Sequence, residues 1–238
     1  MSDKTREELE AEIKALKAKV AKANPAYDAY EAGVEVTVGV LACNAWQYLG
    51  HILPRLHGQG LRMDVLTYTD SASIDCTHEM LGSAKTKSWM ETHKNKSIRE
   101  YRYLGELPHR PMEQILAWSK GNFVAEAKTP YLFFLDADVA LPPGAIKHAL
   151  EELKADPEAG VIGVPYDYDT DHVEQGAIIM SRELAEKTKF WHEPRCVCTS
   201  LAKSVHEIGL KMRHWERPEM ARHVKWTGGI AFDALGGE

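Results

Sequence analysis

Residues 131–146 read YLFFLDADVALPPGAI. The apolar run predicts a buried strand that meets solvent at Asp136-Ala137-Asp138, followed by a proline-punctuated turn and a helix. On a strand, side chains two apart share a face, and where a strand becomes a turn both can be redirected towards one ion. Paired carboxylates there make a compact site for a divalent cation and the phosphates it carries. Hard oxygen ligands suit Mg²⁺ or Mn²⁺, and such a metal offsets charge building on a departing diphosphate. An isolated D-x-D is more often a solvated turn that caps the next helix. The apolar run before it and Pro142-Pro143 after it favour an enzyme acting on an activated, phosphate-bearing substrate.

A chain of 238 residues, 44% of them hydrophobic, can bury a substantial core. The net charge of −6 argues against a general binder of polyanions. Neither a signal-peptide pattern nor an apolar run of about 18 residues is read in the sequence, so neither export nor a membrane span is expected. Cys43, Cys76, Cys196 and Cys198 are too few and too uneven for a disulfide scaffold, and a cytoplasmic protein with reduced thiols is expected.

Residues 5–23 read as a charged helix, with Thr5 and Glu8 as a capping box and Leu9, Ile13, Leu16 and Val20 as a narrow apolar stripe. Such a stripe suits docking on the body or pairing with a second copy, a possible homo-oligomer contact. Residues 1–32 are therefore expected to be an appendage and 33–238 the main domain. Strands are expected at 34–42, 63–70, 97–104, 131–135, 161–166 and 177–181. Helices are expected at 46–56, 76–95, 111–127, 143–155, 182–188 and 197–209. The alternation implies right-handed crossovers and a mostly parallel α/β sheet flanked by helices, a Rossmann-like arrangement. Ligands bind such sheets beyond the carboxyl ends of the strands, where Asp70, Asp136 and Asp138 fall.

Several further segments carry chemistry or mimic it. In TDSASIDCT (69–77), Asp70 ends a strand and can accept hydrogen bonds from a base or ribose, although plain turn chemistry explains it as well. DYDTDHVEQG (167–176) looks like a calcium loop but has His172 and Ile178 where an EF-hand needs Gly and Glu. Cys196-x-Cys198 lacks the spacing and the second pair of a structural zinc site. Tyr166, Tyr168 and Trp191 are candidates either for stacking on a sugar ring or for the core. Lys85, Lys87, Lys94, Lys96, Arg99 and Arg102 form a basic stretch that either faces an anionic partner, nucleic acid included, or is a solvated face.

The order of these pieces resembles the glycosyltransferases of the GT-A fold, particularly the large inverting family 2. The resemblance covers roughly residues 34–225 and rests on four segments: LACNAWQYLGHILPRL (41–56), DSASIDCT (70–77), ILAWSKGNFVAEAKTPYLFFLDADV (115–139) and EQGAIIMSRELAEKT (174–188). It implies a nucleoside-diphosphate-sugar donor and a Mn²⁺ or Mg²⁺ cofactor. Leu41, Ala42 and Asn44 would line the nucleotide pocket, and Asp70 would contact the base or ribose. Asn122 stands at the family's helix Asn; Gly121 replaces the usual Arg before it, leaving Lys120 to supply the charge. Asp136 would reach ribose or metal, Asp138 would bind the metal, and His223 in HVKW (223–226) would be its third ligand, with His214 as competitor.

The resemblance also implies an acidic pair, carrying the general base, before the helix that ends near Gly209. This sequence reads EPRCVCTSLA (193–202) there, with cysteines in place of acids, and Glu193 is the candidate base. Without it, the leaving phosphate itself would accept the proton in a retaining reaction, or the chain would be an inactive relative. Three functions therefore stand: a metal-dependent glycosyltransferase with a glycan, small-molecule or nucleic-acid acceptor; a nucleotidyltransferase; and a non-catalytic sugar-nucleotide or glycan-binding relative. The second class usually opens with a Gly-rich basic loop, and residues 41–48 contain neither Gly nor Lys/Arg.

Overall fold

The computed structural model of the chain describes residues 34–42, 45–70, 98–103, 120–166, 173–188 and 197–224. The expected appendage at 1–32 and the expected helix at 76–95 lie outside them. The chain divides into two units, Met1–Val34 and Glu35–Glu238, and every strand and helix among the described residues belongs to the second.

The elements run β1 (Val36–Ala42), α1 (Trp46–Arg55) with a 3-10 turn (Leu56–Gln59), β2 (Met63–Asp70) and β3 (Ile98–Tyr103). Helix α2 is described over 120–126, and β4 (Tyr131–Asp136), β5 (Val139–Ala140), α3 (Ala145–Ala155) and β6 (Ala159–Gly163) come after it. Then come β7 (Ala177–Ser181), α4 (Arg182–Lys187), α5 (Val197–Glu207), β8 (Lys211–His214) and β9 (Arg222–His223). Among the described residues, seven strands form one sheet in the order β3-β2-β1-β4-β7-β6-β8, and β5 pairs with β9 in a two-stranded ribbon. β7 is antiparallel to both its neighbours, while the other four pairings in the sheet are parallel. This is the mostly parallel α/β sheet expected from the alternation of elements. Among the described residues no helix is long and apolar enough to cross a membrane.

The period of two in the central strands splits the core into two layers. Val36, Val38 and Val40 of β1 and Phe133 and Leu135 of β4 pack with Leu49, Ile52, Leu53 and Leu56 on one face, together with Ile146, Ala149 and Leu150 of α3. Leu132 and Phe134 point the other way, towards Phe123 of α2, Leu184 of α4 and Leu201 and Val205 of α5. Both faces of β1 and β4 are covered, so these strands read as continuous apolar runs.

The turn after Asp138 is braced from behind by Gln59, which is fully buried. Its Nε2 donates to Arg55 O at 3.0 Å and Pro142 O at 3.2 Å, and its Oε1 accepts from Ile146 N at 3.0 Å. α3 has no side-chain cap of its own at Gly144, so Gln59 satisfies one of its orphan amides from a distance. Gln59→Ala would leave that amide and the Pro142 carbonyl without these partners inside the core. We expect a loss of about 2–4 kcal/mol in chemical denaturation. Across the sheet, Arg213 of β8 ties Asp156 (3.0 Å) and Glu152 (3.2 Å) at the end of α3. The Asp156 carboxyl is held below its ordinary range, first by the Glu158 backbone N–H and then, against the cost of burial, by Arg213.

Candidate functional site

β1, β2 and β4 end on one rim, at Ala42, Asp70 and Asp136. Because β7 runs the other way, its entry turn at 173–176 lies on that same rim, beside the end of β4. The D-A-D backbone is held from both sides. Leu41 stands opposite Asp136, Ala137 N donates to Leu41 O at 3.0 Å, and Asp136 N donates to Gly176 O at 2.9 Å.

Gly176 sets the form of the site. A Cβ at this position would sit 2.6 Å from Asp136 Oδ2 and would run into the Tyr166 hydroxyl. The bare glycine therefore lets the Asp136 carboxyl and the tyrosine converge on one backbone position. Asp136 is half-buried, and its Oδ1 is a buried oxygen that accepts no hydrogen bond, though the residue makes other interactions. Tyr166 is buried, which puts it in the core and leaves no ring face for stacking on a sugar. Tyr168 and Trp191 lie outside the described residues.

Asp138 is half-buried at the turn, and its carbonyl accepts from Val224 N at 2.7 Å. The next residue, Val139, pairs across the β5–β9 ribbon with His223. A distant downstream segment is thereby laid beside the paired aspartates, with the His223 backbone one position past Asp138. His214 closes β8, which β6 and β7 separate from β4 by three strand spacings, about 14 Å in all. Two carboxylates from one turn are donors that fit Mg²⁺ or Mn²⁺, ions that take one or two protein carboxylates and complete their shell with phosphate and water. Among the described residues no group of three His, Cys, Asp or Glu side chains is gathered to hold a metal ion by itself.

Behind the rim, Lys120 is buried and its Nζ donates to Gln175 Oε1 at 2.6 Å. A lysine buried this deeply requires a polar partner, and it fixes the turn at Gln175-Gly176. Asn122, half-buried, is on the same helix. Leu41 and Ala42 are buried at the end of β1, and Asp70 closes β2, two strand spacings or about 10 Å from β4. Asn44, Glu193 and Cys196 lie outside the described residues. Cys198, in the first turn of α5, is buried and its Sγ donates to Glu174 Oε2 at 3.6 Å. Sequence reasoning places Glu174, Gln175 and Gly176 in an acidic loop on the acceptor side and at the head of a family-like segment, but gives none of the three a role of its own. Their signal is two polar residues and a glycine placed directly before the wholly apolar strand 177–180.

The fold recurs in known glycosyltransferase structures. A mannosyltransferase from Pyrobaculum calidifontis in complex with GDP-Man and Mn²⁺ superposes with a TM-score of 0.65 at 19% identity, covering 83% of this chain and 59% of that one. S. aureus TarS in complex with UDP gives 0.61 at 12% identity, covering 79% of this chain and 60% of that one. Glucosyl-3-phosphoglycerate synthase from Mycobacterium tuberculosis, with Mn²⁺, UDP and phosphoglyceric acid, gives 0.56 at 16% identity, covering 87% and 75%. The chain thus spans about three fifths of the length of the first two structures. At these identities the likeness shows the fold, which is of the GT-A type. By sequence alone the chain matches no curated protein. It does match the profile of Glycosyl transferase family 2 over residues 37–207, most of the described domain, and the chain belongs to that family.

Proposed function

We propose that the protein is a metal-assisted glycosyltransferase that moves a sugar from a nucleoside-diphosphate sugar to an acceptor hydroxyl. The observation that carries this reading is the D-A-D turn at the mid-sheet rim, flanked by the β1 end and by the strand bearing His223. Leu41, Ala42, Asn44, Asp70 and Asn122 are assigned to the nucleoside side. Asp136, Asp138 and His223 are assigned to the metal, and Lys120 adds positive charge behind the turn. A bound Mn²⁺ or Mg²⁺ supplies Lewis-acid stabilisation of the departing diphosphate. The chain's own residues orient the donor against the rim and hold the carboxylates at a fixed separation. The proteins of like fold that were crystallised with GDP-Man, with UDP and with Mn²⁺ support the donor class.

A thermal-shift series with UDP, GDP and CDP, each with and without Mn²⁺, tests the reading. Ligand at about 100 times its dissociation constant stabilises by about 2.7 kcal/mol, or about 5–10 °C for a domain of this size. We expect such a rise for one nucleotide, dependent on Mn²⁺; no rise with any of them would sink the proposal. The buried Cys198, in the region where the family resemblance implies an acid, favours a second reading as a non-catalytic binder. Nucleotide binding without release of nucleoside diphosphate from any sugar donor would establish that second reading.

A further inference from the structure

We propose that Glu174 is the general base of the transfer, taking the place of the carboxylate that the family resemblance implies in the region of Cys198. The proposal rests on the glycosyltransferase reading above and deepens it. The Cys198 thiol donates to Glu174 Oε2 at 3.6 Å, so a carboxylate from another element reaches the start of α5, the region where the resemblance implies an acid. Glu174 belongs to the turn that the antiparallel β7 brings to the rim. It is two residues from Gly176, whose backbone abuts the Asp136 carboxyl, so its Cα lies within about 7 Å of that glycine. The turn is fixed at the two residues that follow Glu174. Lys120 grips Gln175 from inside, and Gly176 O holds Asp136 N at 2.9 Å. Glu174 itself is half-buried, open enough for an acceptor to reach it and anchored enough to keep one orientation.

The step balances without further reagents. The acceptor oxygen forms a bond to the anomeric carbon while its proton passes to a Glu174 carboxylate oxygen. The bond from that carbon to the diphosphate breaks, and the leaving nucleoside diphosphate carries away the electron pair. A protein base opposite the leaving group makes this a single displacement, with inversion at the anomeric carbon.

The test uses the full chain, Mn²⁺, and GDP-mannose and UDP-N-acetylglucosamine as donors, with water standing in for the acceptor hydroxyl. Nucleoside diphosphate release is followed for wild type, Glu174→Gln and the double variant Glu174→Gln/Cys198→Asp. We expect Glu174→Gln to keep its Mn²⁺-dependent nucleotide thermal shift while release falls about 10²- to 10⁴-fold. Cys198→Asp in the Glu174→Gln background should recover at least part of the rate. Full activity in Glu174→Gln, or a loss found only in Glu193→Gln, overturns the proposal and leaves the glycosyltransferase reading standing. Wild-type binding with no release of diphosphate also overturns it. Failure of wild type to bind any nucleotide sinks the underlying reading instead.

Discussion

Asp138→Ala is expected to lower nucleotide-sugar turnover by at least about 10³-fold while leaving the folded state within about 1 kcal/mol of wild type. The two halves of that expectation have separate causes. Asp138 is half-buried in a turn whose backbone bond, Val224 N to Asp138 O at 2.7 Å, survives the loss of the side chain. The β5–β9 ribbon that brings in His223 is also a backbone structure, so the geometry of the rim persists. On the proposed reading, what disappears is one of two hard oxygen donors to the metal. With it goes much of the stabilisation of charge on the leaving diphosphate, where each 1.36 kcal/mol is about a tenfold change in rate. Turnover is read with saturating Mn²⁺, and stability by denaturation without it. A variant that kept its Mn²⁺-dependent nucleotide shift and its turnover would remove Asp138 from the metal site.

The parts of this site that are legible in sequence are those defined by short-range pattern. β1, β4 and β7 are buried on both faces and read as apolar runs, and Asp136 and Asp138 are where one such run stops. Leu49, Ile52, Leu53 and Leu56 fall on one helical face by spacing alone. The features that escape depend on long-range contact. β8, with the sequence KMRH, is an edge strand only partly covered, so it carries no apolar signature. β5 and β9 are two residues each and exist only because they pair with one another from distant parts of the chain. The reversed direction of β7 leaves no trace in its composition, yet it is what delivers Glu174, Gln175 and Gly176 to the rim. The contact between Lys120 and Gln175 spans 55 positions and has no local cue either. Side-chain chemistry at strand ends is therefore visible in the sequence, and the partners that complete it are not.

Gly39→Ala should cost more than its single methyl suggests, about 1–3 kcal/mol, or about 3–10 °C in Tm. Gly39 lies in the middle of β1 between Val38 and Val40, where a β-branched residue is otherwise the natural choice. A Cβ built there would meet three ring carbons of Phe123 at 2.6–2.7 Å. The ring cannot withdraw. Phe123 is fully buried and its edge is set against Phe134 of β4, with centroids 4.8 Å apart and planes at 83°. Accommodating the methyl means moving α2 away from the sheet, and α2 also carries Lys120 and Asn122. The packing change should therefore reach the rim through the bond from Lys120 to Gln175 and weaken Mn²⁺-dependent nucleotide binding beyond any loss of stability. Phe123→Leu in the Gly39→Ala background supplies the control, because a smaller side chain makes room for the methyl. The double variant should be more stable than the sum of the two single losses predicts, and nucleotide binding should recover with it. Strict additivity of the two substitutions would mean that Gly39 and Phe123 are not in the contact that sets the spacing between α2 and β1.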